Sequence, residues 1–378
     1  MSEPPVPDAT PPSPAPIVDS AIDADAAARA ADEDRSGEPV SLGARLRQPR
    51  TILSIAIPII LLLLLGRFAL NIDMQRVLQG VSEADPVLLL AAFVVFYLGF
   101  PLRGLRWALL LRSTGQPITV KDSTEILYLS WLLNCLVPAK LGDVYRAFLL
   151  KINSNASLSR TFGTLFIERI LDLFTIVILG LLAGFWSFRT GLPPEIQFVA
   201  ALGVAVVVIL AVLLLTLRNF GRQIITRLPL PHRALELFDR FEEGVFGAIT
   251  ARQLPLLISI TGIIWMTEGL RLWLVVQALG FEDVQLGISG AIFVALIGSL
   301  LTAVPLSPAG LGIVDAGMGA VLVLAYGVPV TEATTIVLVD RVISVFSIIV
   351  FGSILYIFSG KRKGEGLSPV KGAAPVPG

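Results

Sequence analysis

The stretch Val137–Lys151, VPAKLGDVYRAFLLK, sets Lys140, Asp143, Arg146 and Lys151 just after Pro138 and between long apolar runs. These residue types suit the binding of an anion. Pro138 ends an arriving helix, Gly142 permits a tight turn, and Asp143 suits the N-cap of the returning helix. The amides at that helix start, with Lys140 and Arg146 beside them, would cradle a phosphate. The plainer alternative keeps the turn and the cap and sends Lys140 and Arg146 to the lipid surface as interfacial anchors.

A second set of charges lies inside apolar runs. Glu168, Arg169 and Asp172 fall in the run 162–186, Glu268 and Arg271 in 254–279, and Asp340 and Arg341 in 333–358. A charge at the centre of a bilayer costs about 2.5–3.5 kcal/mol on insertion scales, so these groups must pair or face a wet cavity. Neighbours on a helix point about 100° apart, so Glu168 and Arg169, and likewise Asp340 and Arg341, are expected to pair with other helices rather than with each other. One reading makes them structural ion pairs. The other gives Arg169 and Arg341 a phosphate to grip with their forked donors. Glu125 and Asn134 are candidates to line the same pocket. Ser307, Pro308, Gly310, Gly312 and Asp315 rebuild the break of the opening stretch without its basic residues. Arg106 and Trp107 are expected at the membrane interface, and Gly180 and Gly184, a G-x-x-x-G, in helix packing.

The elements that must position these residues are membrane helices. The 378-residue chain is 54% hydrophobic and 15% charged, with a mean hydropathy of +0.80. That balance belongs to a polytopic membrane protein. The formal net charge is zero, which gives no electrostatic footprint for nucleic acid. One cysteine, Cys135, and one histidine, His232, exclude an internal disulfide framework and a Cys/His metal cluster. No metal or other cofactor is expected.

Residues 1–44 are rich in Pro, Ala and acid and read as a disordered tail. Residues 45–360 form the membrane domain, and 361–378 a short disordered tail. Spans are expected over 51–70, 86–111, 162–186, 197–217, 254–279, 286–304, 309–326 and 333–358. Basic residues precede 51–70, follow 358 and fill 218–253, while 71–85 and 280–285 are acidic. The positive-inside rule then places both termini in the cytoplasm of a bacterial-type inner membrane. The run 126–137 is about 12 residues, too short to span, so the opening stretch is expected to be the tip of a re-entrant hairpin. The expected fold is all-α and polytopic, with about 6–8 transmembrane helices and one or two such hairpins. Whether 286–326 is a second hairpin or two spans is left open.

Three signatures recur in the same order. Gly104-Leu-Arg106 matches Gly269-Leu-Arg271, Pro138-Ala-Lys-Leu-Gly142 matches Pro308-Ala-Gly-Leu-Gly312, and Glu168-Arg169 matches Asp340-Arg341, each about 165–172 residues on. Repeat 1 spans about 86–186 and repeat 2 about 254–358. They enter the membrane from opposite sides, which is the inverted arrangement of many secondary transporters.

The motifs RGLRWALLL, NCLVPAKLGDVYRAFLLK, GTLFIERILDLF, VPLSPAGLGIVDAGM and VDRVISV resemble the flippase-like membrane family, also called the lysylphosphatidylglycerol synthase transmembrane region, over roughly residues 50–360. The resemblance implies an inner-membrane domain that in some members flips an aminoacylated phospholipid and in others is linked to polyprenyl-linked sugars. Aminoacyl-transferring members carry a large soluble domain after the membrane part. The chain ends soon after its last span, so aminoacyl-lipid synthesis by this polypeptide is not expected. The leading expectation is a lipid or lipid-linked-precursor transporter recognising an anionic headgroup, with membrane lipids as partners. The alternatives are an intramembrane lipid-modifying enzyme using Glu168 and Asp172 for acid–base work, and a non-transporting partner of an enzyme of lipid or envelope synthesis. No G-x-x-x-x-G-K motif supplies nucleotide energy.

Overall fold

Asp85 caps the helix that begins at Pro86, accepting from the amides of Val87 and Leu88, while Pro86 supplies a fixed φ in the first turn. Thr119 and Ser157 cap two further helices in the same way. The computed structural model describes residues 73–137, 140–188, 203–216, 232–302 and 307–370, with positions 197 and 201. The expected tail 1–44, the first expected span, most of loop 218–253 before residue 232, and Pro138 lie outside the described residues.

All described elements are helical. They are α1 (Met74–Glu83), α2 (Pro86–Ser113), α3 (Val120–Leu136), α4 (Leu141–Asn153), α5 (Leu158–Ser187), α6 (Gly203–Thr216), α7 (His232–Gly247), α8 (Leu254–Leu279), α9 (Ile288–Leu301), α10 (Ile313–Tyr326), α11 (Val330–Arg341) and α12 (Ser347–Phe358). A short 3₁₀ turn, Pro308–Gly310, precedes α10, and a π-helical turn, Val342–Phe346, joins α11 to α12. Four runs are long and apolar enough to cross a membrane: α2, α8, Pro308–Tyr326 and Val330–Phe358. At 1.5 Å per residue, α4 and α9 reach only about 20 Å, short of a hydrocarbon core of about 30 Å.

The two halves use matching contacts. α2 and α8 lie antiparallel along their length. At one end Asp85 N donates to Ala278 O at 2.8 Å, and at the other Ser113 Oγ lies 2.7 Å from Gln253 Oε1. Gly104 on α2 touches α3, where a Cβ would fall 2.1 Å from Thr124 Oγ1. Gly269 on α8 touches α9 as closely, with a Cβ 2.4 Å from Ile292 Cγ1. Both signature glycines thus allow a first helix to press on the arriving arm of a broken pair. Each arriving arm then packs on the last helix of the other half, α3 on α12 and α9 on α5. Gly180 does not serve the packing expected of it, since a Cβ there meets nothing within 4 Å.

The segments expected outside meet at one end of the bundle. Arg76 on α1 pairs with Glu332 at 2.7 Å and with Asp283 at 3.5 Å. At the opposite end, residues 359–370 are held against α3 and α4, although the sequence reads 361 onward as a disordered tail. Lys361 Nζ lies 2.8 Å from Asp122, Ser368 N donates to Asp122 at 2.7 Å, and Asn153 bonds both Lys361 O and Gly366 N. Leu367 adds an apolar contact to the core around Trp107. These pairings are made over more than 200 residues of sequence, so no local pattern announces them.

Candidate functional site

The buried charges form two matched sets. In the first half Arg106 holds Asp172 at 2.5 Å and Glu168 at 3.0 Å, and Arg146 grips Glu168 with both terminal nitrogens at 3.2 and 3.1 Å. In the second half Arg271 binds Asp340 at 2.8 Å and also meets Glu268. The Arg106–Glu168 and Arg271–Asp340 pairs occupy matching repeat positions. The breaks match as well. Arg169 forks onto Asp143 at 2.7 Å, and Arg341 meets Asp315 at 2.5 Å, with the partners 26 positions apart in both cases. As expected from helix geometry, Glu168 and Arg169, and likewise Asp340 and Arg341, pair with other helices rather than with each other. Arg103 bridges the halves, reaching Glu268 at 2.6 Å.

Two arginines are further fixed by aromatic faces. The Arg146 guanidinium lies 3.9 Å from the centre of the Trp107 ring, and Arg103 lies 4.9 Å from that of Trp131. Arg106 and Trp107, expected at the interface, are instead fully buried. The two carboxylates of α5 explain this, because they need a cation inside the bundle.

Between the halves is a cavity of about 190 Å³. Of the residues singled out in the sequence, Asn134, Lys140, Arg169, Glu268, Arg271, Ser307, Gly310, Asp340 and Arg341 line it. Gly142, Asp143, Arg146, Glu168, Asp172, Pro308, Gly312 and Asp315 are not part of that lining. Glu125 lies elsewhere, on a lateral groove beside Tyr128 and Phe351, and takes the hydroxyl of Ser359.

The amide cradle expected at the start of α4 is altered. Lys140 is the N-cap residue and makes no side-chain cap. Asn134 Oδ1 takes the Gly142 amide at 2.8 Å, while Asp143 is engaged by Arg169 instead of capping. In the second half Asp315 does cap, accepting from Gly312 N at 2.8 Å. The difference arises because α3 runs close enough to supply Asn134: a Cβ on Gly142 would lie 2.1 Å from Ser130 O.

Arg103, Trp131, Trp265 and Ser344 also line the cavity and were not singled out in the sequence. Arg103 had a usable signal. It precedes Gly104 as Glu268 precedes Gly269, so the repeat register sets opposite charges at matching places. Ser344 had one too: it stands four places after Asp340 as Asp172 stands four after Glu168, and it falls in the π-helical turn that follows Arg341.

A family model described as the lysylphosphatidylglycerol synthase TM region matches residues 51–352. A UPF0104 membrane protein of Methanocaldococcus jannaschii is 37% identical over 59% of this chain and 92% of its own length. The chain belongs to the lysylphosphatidylglycerol synthase TM region family. It is also similar to a UPF0104 membrane protein of Methanothermobacter thermautotrophicus, 27% identical over 77% of this chain and 88% of the relative. A protein named glycosyltransferase AglD, of Haloferax volcanii, is 29% identical over 78% of this chain, which spans only 52% of that relative. This chain is thus a membrane protein of a family named for lysylphosphatidylglycerol synthase.

Proposed function

We propose that this membrane protein moves a lipid or lipid-linked precursor with an anionic headgroup between leaflets. The observation that carries the reading is the cavity between the two halves, where Lys140 has no hydrogen-bond or ion-pair partner among the described residues. An unpaired ammonium held there suits an anion that comes and goes. Lys140, Arg169 and Arg341 would face the headgroup, while Gly142, Asp143 and Arg146 hold the break in shape. The antiparallel α2–α8 pair and the matched salt bridges support an inverted repeat, with α3–α4 as a re-entrant hairpin and α9–α10 as its counterpart. Broken helices at membrane depth are tolerated only where protein or a wet cavity shields them. Rocking of one half on the other would open the cavity to each side in turn. Both termini would lie in the cytoplasm of a bacterial-type inner membrane.

A second reading follows from the relative named glycosyltransferase AglD: the domain would present a lipid-linked sugar to a partner enzyme. Vesicles containing the purified chain and fluorescent phospholipids or lipid-linked sugars separate the two. The transporter reading predicts exchange between leaflets that is abolished by Arg169→Ala and by Asp143→Ala in folded protein. Exchange at the wild-type rate in both variants would overturn it. Absence of exchange together with a copurifying enzyme would support the second reading.

A further inference from the structure

The last helix changes form where it changes neighbours. α11 packs on α1, α8 and α10, whereas α12 packs on α3. The end of α11 is fixed by Arg271 on Asp340 and by Asp315 on Arg341. Further along, Gly352 presses α12 on α3, where a Cβ would lie 3.1 Å from Leu132 Cβ. The strap 359–370 then ties the end of α12 to Asp122 and Asn153. The π-helical turn Val342–Phe346 stands between these two attachments and packs on α2. Its repeat equivalent, 170–174, is ordinary α-helix within α5. The turn is therefore no part of the repeat and has a local cause.

That cause is a chain of hydroxyls. In an α-helix the Ser347 amide would donate to Ile343 O. Here it donates to Val342 O, one residue further back, and the Ser347 hydroxyl donates to Ile343 O in its place. A hydroxyl has one proton, so Ser347 Oγ accepts from Tyr97 OH, 2.9 Å away. Tyr97 OH in turn accepts from Tyr128 OH at 3.0 Å. A directed chain from α3 through α2 to α12 thus satisfies the carbonyl that the π-turn frees.

We infer that Val342–Phe346 is a hinge with two settings, π and α, chosen by Ser347 with Tyr97. In this scheme α12 moves with the α3–α4 pair while α11 stays with α8. In the α setting the Ser347 amide returns to Ile343 O and the turn needs no hydroxyl. Neither setting strands the Ile343 carbonyl, and a stranded carbonyl is what a bilayer does not tolerate. Val342, Ile343 and Val345 are β-branched, which weakens the α form at this point. Single π-turns inside α-helices gather at functional sites, and hinges are a few residues at element ends. Arg341, Ser344 and Val345 line the cavity, so a change of setting reshapes its wall. The hinge stands on these contacts; only its use in moving a lipid rests on the proposed function.

Distances between paired spin labels test it, on the purified full chain in detergent and a Cys135→Ser background. One pair, Ser259→Cys with Phe358→Cys, joins α8 to the end of α12. The other, Lys121→Cys with Phe358→Cys, joins α3 to the same end. All three positions are exposed. The α8–α12 pair is expected to show two distances, and the α3–α12 pair one. Ser347→Ala should collapse the two distances into one, and Tyr97→Phe, which keeps the ring, should shift their populations the same way. Ser347→Thr keeps a hydroxyl that reaches the same carbonyl, so it should restore both. A single α8–α12 distance in the unmutated chain, or populations unmoved by Ser347→Ala and Tyr97→Phe, would overturn the hinge. Two distances for the α3–α12 pair would overturn the assignment of α12 to the α3–α4 pair. In vesicles Ser347→Ala should slow exchange between leaflets severalfold. Two α8–α12 distances in a chain that exchanges no lipid would sink the transporter reading and leave the hinge standing. Exchange at the unmutated rate in a Ser347→Ala chain held at one distance would show that transport does not use it.

Discussion

Lys140 holds a left-handed backbone, φ 52°, where the matching position of the other half is Gly310 at φ 71°. Glycine adopts that region freely, whereas another L-residue pays about 1–2 kcal/mol. Strain of this kind persists where the surroundings impose it and gathers at functional positions. Lys140→Gly is therefore expected to melt at or above the wild-type temperature while losing headgroup binding. A clear drop in melting temperature would show that the lysine serves the fold. Arg106 is the opposite case. Its guanidinium is fully buried against Glu168 and Asp172 and hydrogen-bonds Thr261 at 3.0 Å. Removing one partner of a buried pair costs about 3–5 kcal/mol, so Arg106→Ala should lower the thermal or denaturant stability of detergent-solubilised protein by that order. A change under about 1 kcal/mol would contradict the pairing. The sequence made most of the charged residues legible, because charges in apolar runs stand out. It did not show which partner each would choose, since those choices depend on helices far apart in the chain.

The broken pair α3–α4 depends on close backbone approach. A Cβ on Gly142 would press within 2.1 Å of Ser130 O and 2.6 Å of the Asn134 side-chain amide. Gly142→Ala should thus cost about 1–3 kcal/mol, as overpacking does. Gly180→Ala, in open space on α5, should be neutral or stabilising by up to about 1 kcal/mol, as expected for a helix interior. Equal effects of the two on melting temperature would show that contact at the break is not what matters. The strap 359–370 carries its own test. Burial of Asp122 pushes its carboxyl upward, but Lys361 and the Ser368 amide outweigh that and hold it below its ordinary 3.8. An aspartate held low adds stability in full above its ordinary value and loses it as pH falls through its own lower one. The strap should hold at neutral pH and loosen in strong acid. Asp122→Asn should loosen it already at pH 7, read as faster thiol labelling of Leu367→Cys in a Cys135→Ser background. Labelling at the unmutated rate would show that the Asn153 bonds and apolar packing hold the strap without Asp122. At this scale the sequence announced the breaks, through Pro138 and Pro308 with their nearby glycines, but not the strap or the π-helical turn.

Across the whole molecule, two halves of like signature lie side by side with their first helices antiparallel. Hydropathy and three short recurring motifs pointed to two halves, and each motif has a contact to make in both: a glycine against the arriving arm, a break, and a charged pair on the last helix. The cavity itself was not legible. It exists because Arg103, Lys140 and Ser344, far apart in the chain, are brought to one place by the packing of α2, α3–α4 and α11–α12. The central claim is that these halves are inverted across a membrane with the cavity between them. Sided labelling of single cysteines in intact cells tests it most directly, in a Cys135→Ser background. With a membrane-impermeant thiol reagent, Glu83→Cys and Glu282→Cys should label from outside, and Lys151→Cys and Lys363→Cys only after the membrane is opened. Labelling of positions 83 and 363 from the same side would contradict the account.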